Sequence, residues 1–146
     1  MRLAHDTYVV VADGDKMLLF RNQGGAEYPK LELQSELVQD NPADREQGTA
    51  QPGRASNSVG SHRSAFQETD FHELEQARFA ALTAELLKKR ALKKEYDKLI
   101  VVAPPRTLGE LRKHYHKEVE ERLVGEISKD LTGHTVPDIE KIILQA

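Results

Sequence analysis

The chain has 146 residues, of which 21 are Lys or Arg, 24 are Asp or Glu, and none is Cys or Trp. That length suits one domain around one core, and 38% apolar content is enough to fill it. The missing cysteines exclude a disulfide framework, a thiol nucleophile and a Cys-ligated zinc or iron–sulfur centre. No apolar run approaches the roughly 20 residues that cross a bilayer, so no membrane partner is expected. Met1 to Asp6 carries one Arg, with no apolar export core or small-residue cleavage site after it, so a cytoplasmic location is expected. The net charge of −3 conceals an uneven distribution. Lys88 to Lys117 holds ten basic residues against three acids, a local +7, which leaves −10 for the rest.

In chain order, Tyr8-Val9-Val10-Val11-Ala12 is short, β-branched and continuous, the pattern of a strand buried on both faces. Asp13-Gly14 follows as a hairpin signal, because both residues tolerate positive φ. Lys16 to Phe20 predicts the returning strand, and Asn22-Gln23-Gly24-Gly25 the next turn. Lys30 to Val38 alternates imperfectly through Leu31, Leu33 and Leu37, and predicts a third strand. Asp40 to Thr69 then changes character: 16 of its 30 residues are Gly, Pro, Ser, Thr, Asn or Gln. It reads as a long polar loop, of the kind that is either functional or a solvated insertion.

Asp70 with Glu73 forms a capping box, and Phe71, Leu74, Ala77, Ala81 and Leu82 keep helical spacing toward Lys94. Leu99 to Ala103 is a second doubly buried strand, stopped by Pro104-Pro105. Thr107 with Glu110 predicts the next helix start, with Leu108, Leu111 and Tyr115 on one face. Leu123 to Ile127 fits strand or helix, and Gly125 with the Asp130–Gly133 turn favours strand. Thr135 with Asp138 caps a closing helix whose stripe is Ile139, Ile142 and Ile143. The whole, residues 1–146, reads as a single α/β domain. Its mixed sheet combines an N-terminal antiparallel meander with helix–strand–helix–strand–helix, and the two buried strands are neighbours near its centre.

Ligands of open α/β sheets collect beyond the carboxyl ends of the central strands. Those ends carry Asp13 and the segment Ala103 to Gly109, where Arg106 beside a helix N-terminus suits an anion. Asp13 is either a turn former or, with Asp15, Asp97 and Asp130, part of a Mg²⁺-binding carboxylate group for phosphodiester hydrolysis. His114 and His116 are two apart and face different sides of a helix, so no metal site is expected; no cofactor motif is present either. The bases Lys88, Lys89, Arg90, Lys93, Lys94, Arg112, Lys113 and Lys117 partly serve helix C-termini. Clustered on an otherwise acidic chain, they also suit a polyanion such as RNA. Few aromatics interleave with them, which disfavours base stacking.

Several stretches together carry a resemblance: Tyr8-Val-Val-Val-Ala-Asp-Gly14, Gln51-Pro-Gly-Arg54, Phe79-Ala-Ala-Leu82, Tyr96 to Arg112 and Lys129-Asp-Leu-Thr132. In these the chain resembles the bacterial host attachment protein family over essentially its whole length, most specifically in Ala103-Pro-Pro-Arg-x-Leu-Gly-x-Leu-Arg112. That family is similar to the middle domain of archaeal and eukaryotic class one peptide release factors. There the polar loop carries Gly-Gly-Gln and supports peptidyl-tRNA hydrolysis. The corresponding Gln51 to Arg63 has no Gly-Gly-Gln, and Gly24-Gly25 lies in an earlier turn, so no catalytic activity is carried over. The resemblance and the charge together imply a non-catalytic protein contacting ribosomal or other structured RNA. Its contacts would be Arg45, Arg54, His62 and Arg63 in the loop, Arg106, and Lys88, Lys89, Arg90 and Arg112. An effect on host attachment would be indirect. The alternatives are a module that binds another protein, and a hydrolase of phosphoesters or peptidyl-tRNA using Asp13, Gln51 or His62.

Overall fold

A computed structural model describes residues 1–39 and 61–146, with side chains from residue 70 onward in the long helix. The strands are β1 (Tyr8–Ala12), β2 (Lys16–Asn22), β3 (Leu31–Val38), β4 (Leu99–Ala103) and β5 (Leu123–Ser128). The helices are α1 (Ser61–Leu92), α2 (Pro105–Arg112), α3 (Lys117–Arg122) and α4 (Val136–Gln145). The sheet runs β3-β2-β1-β4-β5, with β1 in the middle. β1 pairs antiparallel with β2 and parallel with β4, and β4 pairs parallel with β5. The expected mixed α/β sheet, with its two apolar strands adjacent at the centre, is what forms.

Continuous apolar runs at β1 and β4 are explained by helices on both sides. Tyr8, Val10, Ala12, Leu99, Val101 and Ala103 face one core, shared with Phe79 and Leu87 of α1 and Leu108 and Leu111 of α2. Val9, Val11, Ile100 and Val102 face the other, against Ile139 and Ile143 of α4 and the N-terminal Leu3. The imperfect alternation of β3 has a local cause. Its register with β2 shifts between Leu19 and Phe20, so Leu33 pairs with Phe20 but Ser35 pairs with Leu19. The extra residue is Gln34, and this bulge turns Leu37 to the α1 face while Leu31 stays on the α4 face.

Several local expectations are corrected. Helix α1 begins at Ser61, not at Asp70, so Asp70 and Glu73 lie inside it and the predicted loop does not extend to Thr69. Polarity misled: Ser61 to Thr69 contains neither Gly nor Pro after Gly60, and a polar stretch without breakers can continue a helix. Residues 40–60, including Arg45, Gln51 and Arg54, lie outside the described residues. Helix α2 starts at Pro105 rather than being capped by Thr107. Proline fits the first helical position, where its missing N–H has no partner to lose. In the first turn no residue has positive φ. The Asp13 carboxylate closes it instead, Oδ1 accepting from the amides of Asp15 (2.8 Å) and Lys16 (2.7 Å). The helix and strand alternatives near Leu123 are both realised, α3 ending at Arg122 and β5 beginning at Leu123.

Two polar residues hold the ends of these elements. Asn22 is fully buried; its Nδ2 donates to the carbonyls of Leu3 (3.0 Å) and Ala4 (3.1 Å). Its Oδ1 accepts from the amides of Gly24 (3.0 Å) and Lys30 (2.8 Å). Replacing Asn22 with Ala orphans backbone groups on three segments, so chemical denaturation is expected to show a loss of about 3 kcal/mol. At the end of α1, the Lys94 amide bonds to Ala91 O and that of Glu95 to Arg90 O, the paired bonds of a Schellman cap. Lys94 occupies the left-handed position there, with φ 59°. Lys94→Gly is therefore expected to raise stability by about 1 kcal/mol, and an unchanged or lowered melting temperature would contradict this account.

Candidate functional site

β1, β3, β4 and β5 all run in one direction, so their carboxyl ends share one edge of the sheet. That edge gathers segments far apart in sequence: Asp13-Gly14, Gln39, Pro104 to Arg106, and Lys129 to Thr132. Asp13 Oδ2 accepts from the Thr132 hydroxyl at 2.8 Å, and the same hydroxyl lies 3.0 Å from Asp130 Oδ1. Threonine has one hydroxyl proton, so it serves one carboxylate at a time while bridging β1 to the segment after β5.

Helix α1 is fastened along this edge. A Cβ on Gly14 would stand 2.8 Å from the Gln76 side chain, so glycine permits the helix to lie against the turn. Gln39 Nε2 donates to Glu75 Oε2 at 2.8 Å, and Arg106 Nη2 donates to Glu73 Oε1 at 2.9 Å. Phe79 and Ala80 are buried, whereas every residue from Asp70 to Leu74 is exposed. The part of α1 before Gln76 is about 22 Å long at 1.5 Å per residue. It overhangs the sheet edge, with Ser61 at its far end.

Among the described residues, the expected RNA contacts do not fall on one surface. His62 and Arg63 fall in the first turn of α1. Arg106 is at the carboxyl edge, with its guanidinium turned to Glu73 instead of the α2 N-terminus. Lys88, Lys89 and Arg90 lie at the opposite end of α1. Arg112 ends α2, on the α1 side of the sheet, where its Nε and Nη2 both reach Glu126 Oε1 of β5, at 3.1 and 2.9 Å. Glu126 also accepts from Tyr115 Oη at 3.5 Å, and burial, then Glu126, pushes the Tyr115 hydroxyl well above its ordinary range. Arg90 pairs with Glu95 at 3.0 Å, and Lys88 reaches Glu85 at 4.0 Å.

The acids considered for Mg²⁺ separate. Asp13 and Asp130 meet through Thr132, while Asp97 precedes β4 at the other edge of the sheet. Among the described residues no three His, Asp or Glu side chains form a group able to hold a metal. His116 serves as the α3 cap, Nδ1 accepting from the Glu118 amide at 3.0 Å. Thr132 was missed as a contact of Asp13, although it closes one of the stretches that carry the family resemblance. Only the parallel course of β1, β4 and β5 makes the two neighbours.

The amino-terminal edge holds a cleft of about 400 Å³ whose lining includes His5, Asp6, Tyr8, Arg21, Tyr96 and Lys98. Its floor is a stacked pair, Tyr8 and Tyr96, with centroids 5.1 Å apart. Tyr96 Oη donates to Leu87 O at 2.9 Å, and burial pushes this hydroxyl up to about 12. Asp6 adopts φ 65° and takes two hydrogen bonds from Arg21, at 2.6 and 2.9 Å. The Arg21 hydrogen bond holds its carboxyl below the ordinary 3.8. A depressed folded value stabilises above the ordinary value, and the contribution is lost as pH falls through the folded one. Asp6→Asn is expected to lower the melting temperature at neutral pH and to flatten part of its decline in acid. Parallel acid profiles for the two proteins would refute the assignment.

The architecture is that of a three-layer α/β domain in which Asp13-Gly14, Pro104 to Arg106 and Lys129 to Thr132, parts of three resemblance-bearing stretches, meet at one edge of a mixed sheet. The model of bacterial archaeo-eukaryotic release factor family 12 matches residues 6–143, and the chain belongs to that family. Among solved structures, the archaeal translation termination factor aRF1 is similar at 13% identity and a TM-score of 0.49. The alignment covers 95% of this chain and 36% of that one, so the chain spans well under two thirds of that factor. No curated protein matches the sequence.

Proposed function

We propose that this protein is a cytoplasmic, non-catalytic member of the release-factor-like family that contacts ribosomal or other structured RNA. The observation that carries the reading is membership of the family over residues 6–143 in a chain with no Gly-Gly-Gln. Its one Gly-Gly pair has a structural use. A Cβ on Gly24 would collide with Tyr28 O, so this glycine allows the β2–β3 connection to close on itself. Asp13 has both carboxylate oxygens engaged, in its own turn and with Thr132, which supports a structural role over a hydrolytic one. The bases available for RNA are Arg54, His62 and Arg63 before and at the start of α1, Arg106, and Lys88, Lys89, Arg90 and Arg112. An effect on attachment to a host would follow indirectly from this role.

Ribosome pelleting tests the proposal. Co-sedimentation is expected at about 50 mM salt and is lost by about 200 mM, because phosphate contacts release counterions. Joint replacement of Arg54, Arg63 and Arg106 by Ala should weaken it at the lower salt. Absence of the protein from the low-salt pellet would overturn the reading. A protein partner is the second reading, favoured by a groove of about 230 Å³ lined by Leu37, Val38, Phe79 and Leu82 together with Gln39, Glu75 and Arg78. A stoichiometric complex that survives nuclease treatment would distinguish it.

A further inference from the structure

The basic residues divide by their partners. Each arginine in the Lys88–Lys117 stretch is held by a carboxylate: Arg90 by Glu95, Arg106 by Glu73 and Arg112 by Glu126. Outside it, Arg21, Arg78 and Arg122 are held by Asp6, Glu75 and Glu118. To grip a phosphate, such a guanidinium must give up a charge-assisted hydrogen bond already made. Lys89, Lys93, Lys94 and Lys98 are all exposed, and none has a carboxylate partner among the described residues. They lie within ten residues at the end of α1 and the turn into β4. Lys98 shares a surface hollow with Arg2, also exposed, so the lysines continue around the amino-terminal edge of the sheet.

Interaction with the α1 dipole accounts in part for Lys89, Lys93 and Lys94, which sit on the last turn and its cap, but not for Lys98 beyond it. Lys94 is moreover held at φ 59°, where glycine is less strained, and no described contact of its ammonium offsets that strain. The acids of this stretch are Glu95, already paired with Arg90, and Asp97. The carboxyl edge, by contrast, sets Asp13, Asp15, Glu73, Glu75 and Asp130 against Lys16, Arg78, Arg106 and Lys129, with both arginines tied to its glutamates. The aromatic rings nearest the lysines, Tyr8 and Tyr96, are 6% and 2% exposed, so they offer no face for an unpaired base.

Resting on the RNA-contact reading above, we infer that the protein grips the phosphate backbone of double-helical RNA through Lys89, Lys93, Lys94 and Lys98. Lysines act on phosphates as mobile point charges, which reads backbone without sequence. A-form RNA presents such a backbone without splayed bases.

The test is fluorescence anisotropy with a labelled short RNA duplex. The wild type is compared with a variant carrying Lys89→Gln, Lys93→Gln, Lys94→Gly and Lys98→Gln. A second variant removes bases from the other edge by Lys16→Gln, Arg78→Gln and Lys129→Gln. The first is expected to lose affinity on the order of tenfold or more at low salt, and its salt slope should shrink by about three. The second stays within about twofold of wild type, and arginine at all four lysine positions restores binding. Melting temperatures establish that each variant is folded. Equal binding by the four-lysine variant and wild type overturns the inference, as does a larger loss in the second variant. A wild type that binds no duplex yet pellets with ribosomes overturns this inference alone; one that does neither overturns the RNA-contact reading with it.

Discussion

The parallel pairing of β1 with β4 is the constraint on which the remaining geometry rests, because neither strand can face water on either side. All ten of their side chains are at most 6% exposed. Each large apolar side chain contributes about 1.5–3 kcal/mol on burial, so leaving either face bare would cost an amount comparable to a domain's whole net stability. Helices are therefore required on both faces, α1 to α3 on one and α4 on the other. A parallel neighbour also requires a long return connection, which the chain supplies as the segment from β3 through α1. Fixing β1 beside β4, and β5 beside β4, brings Asp13, Pro104 and Thr132 to one edge without any attraction of their own.

Helix α1 then joins the two ends of the molecule. Its buried half, from Phe79 to Ala91, packs on the sheet, while its first half extends past the carboxyl edge. Ties at Glu73, Glu75 and Gln76 set the direction of that extension. The uneven charge of the chain follows this axis. Lysines without described partners lie where α1 ends, whereas six arginines are tied to carboxylates at both edges of the sheet and along its α1–α2 face. Arginine suits the ties because its fork matches a carboxylate, as Arg112 does on Glu126.

Much of this was legible from local pattern. The two doubly buried strands, the meander, the Ile139–Ile143 stripe and the Thr135 cap follow from periodicity and capping chemistry alone. Where reading failed, a global contact or a competing local preference decided. Asp70-x-x-Glu73 has the letters of a helix start, yet α1 was already running from Ser61, because nothing in the preceding nine residues breaks it. Thr107-x-x-Glu110 failed because Pro105 begins a helix equally well two residues earlier. The third leucine of β3 seemed out of phase because a bulge at Gln34 changes which face it serves, and a bulge depends on the neighbouring strand.

For the candidate site the division is similar. The sequence by itself determined which residue types are present: the apolar strands, the absence of Cys and of Gly-Gly-Gln, and a basic stretch of +7 in an acidic chain. It also carried the release-factor-like resemblance, since that rests on short stretches such as Ala103 to Arg112. Only the tertiary structure decided which charges are free. A carboxylate partner such as Glu73 for Arg106, 33 residues away, or Glu126 for Arg112, 14 away, depends on how helices lie across strands. Local sequence cannot express that, because side-chain pairing across elements follows from the packing of two cores rather than from the order of the chain.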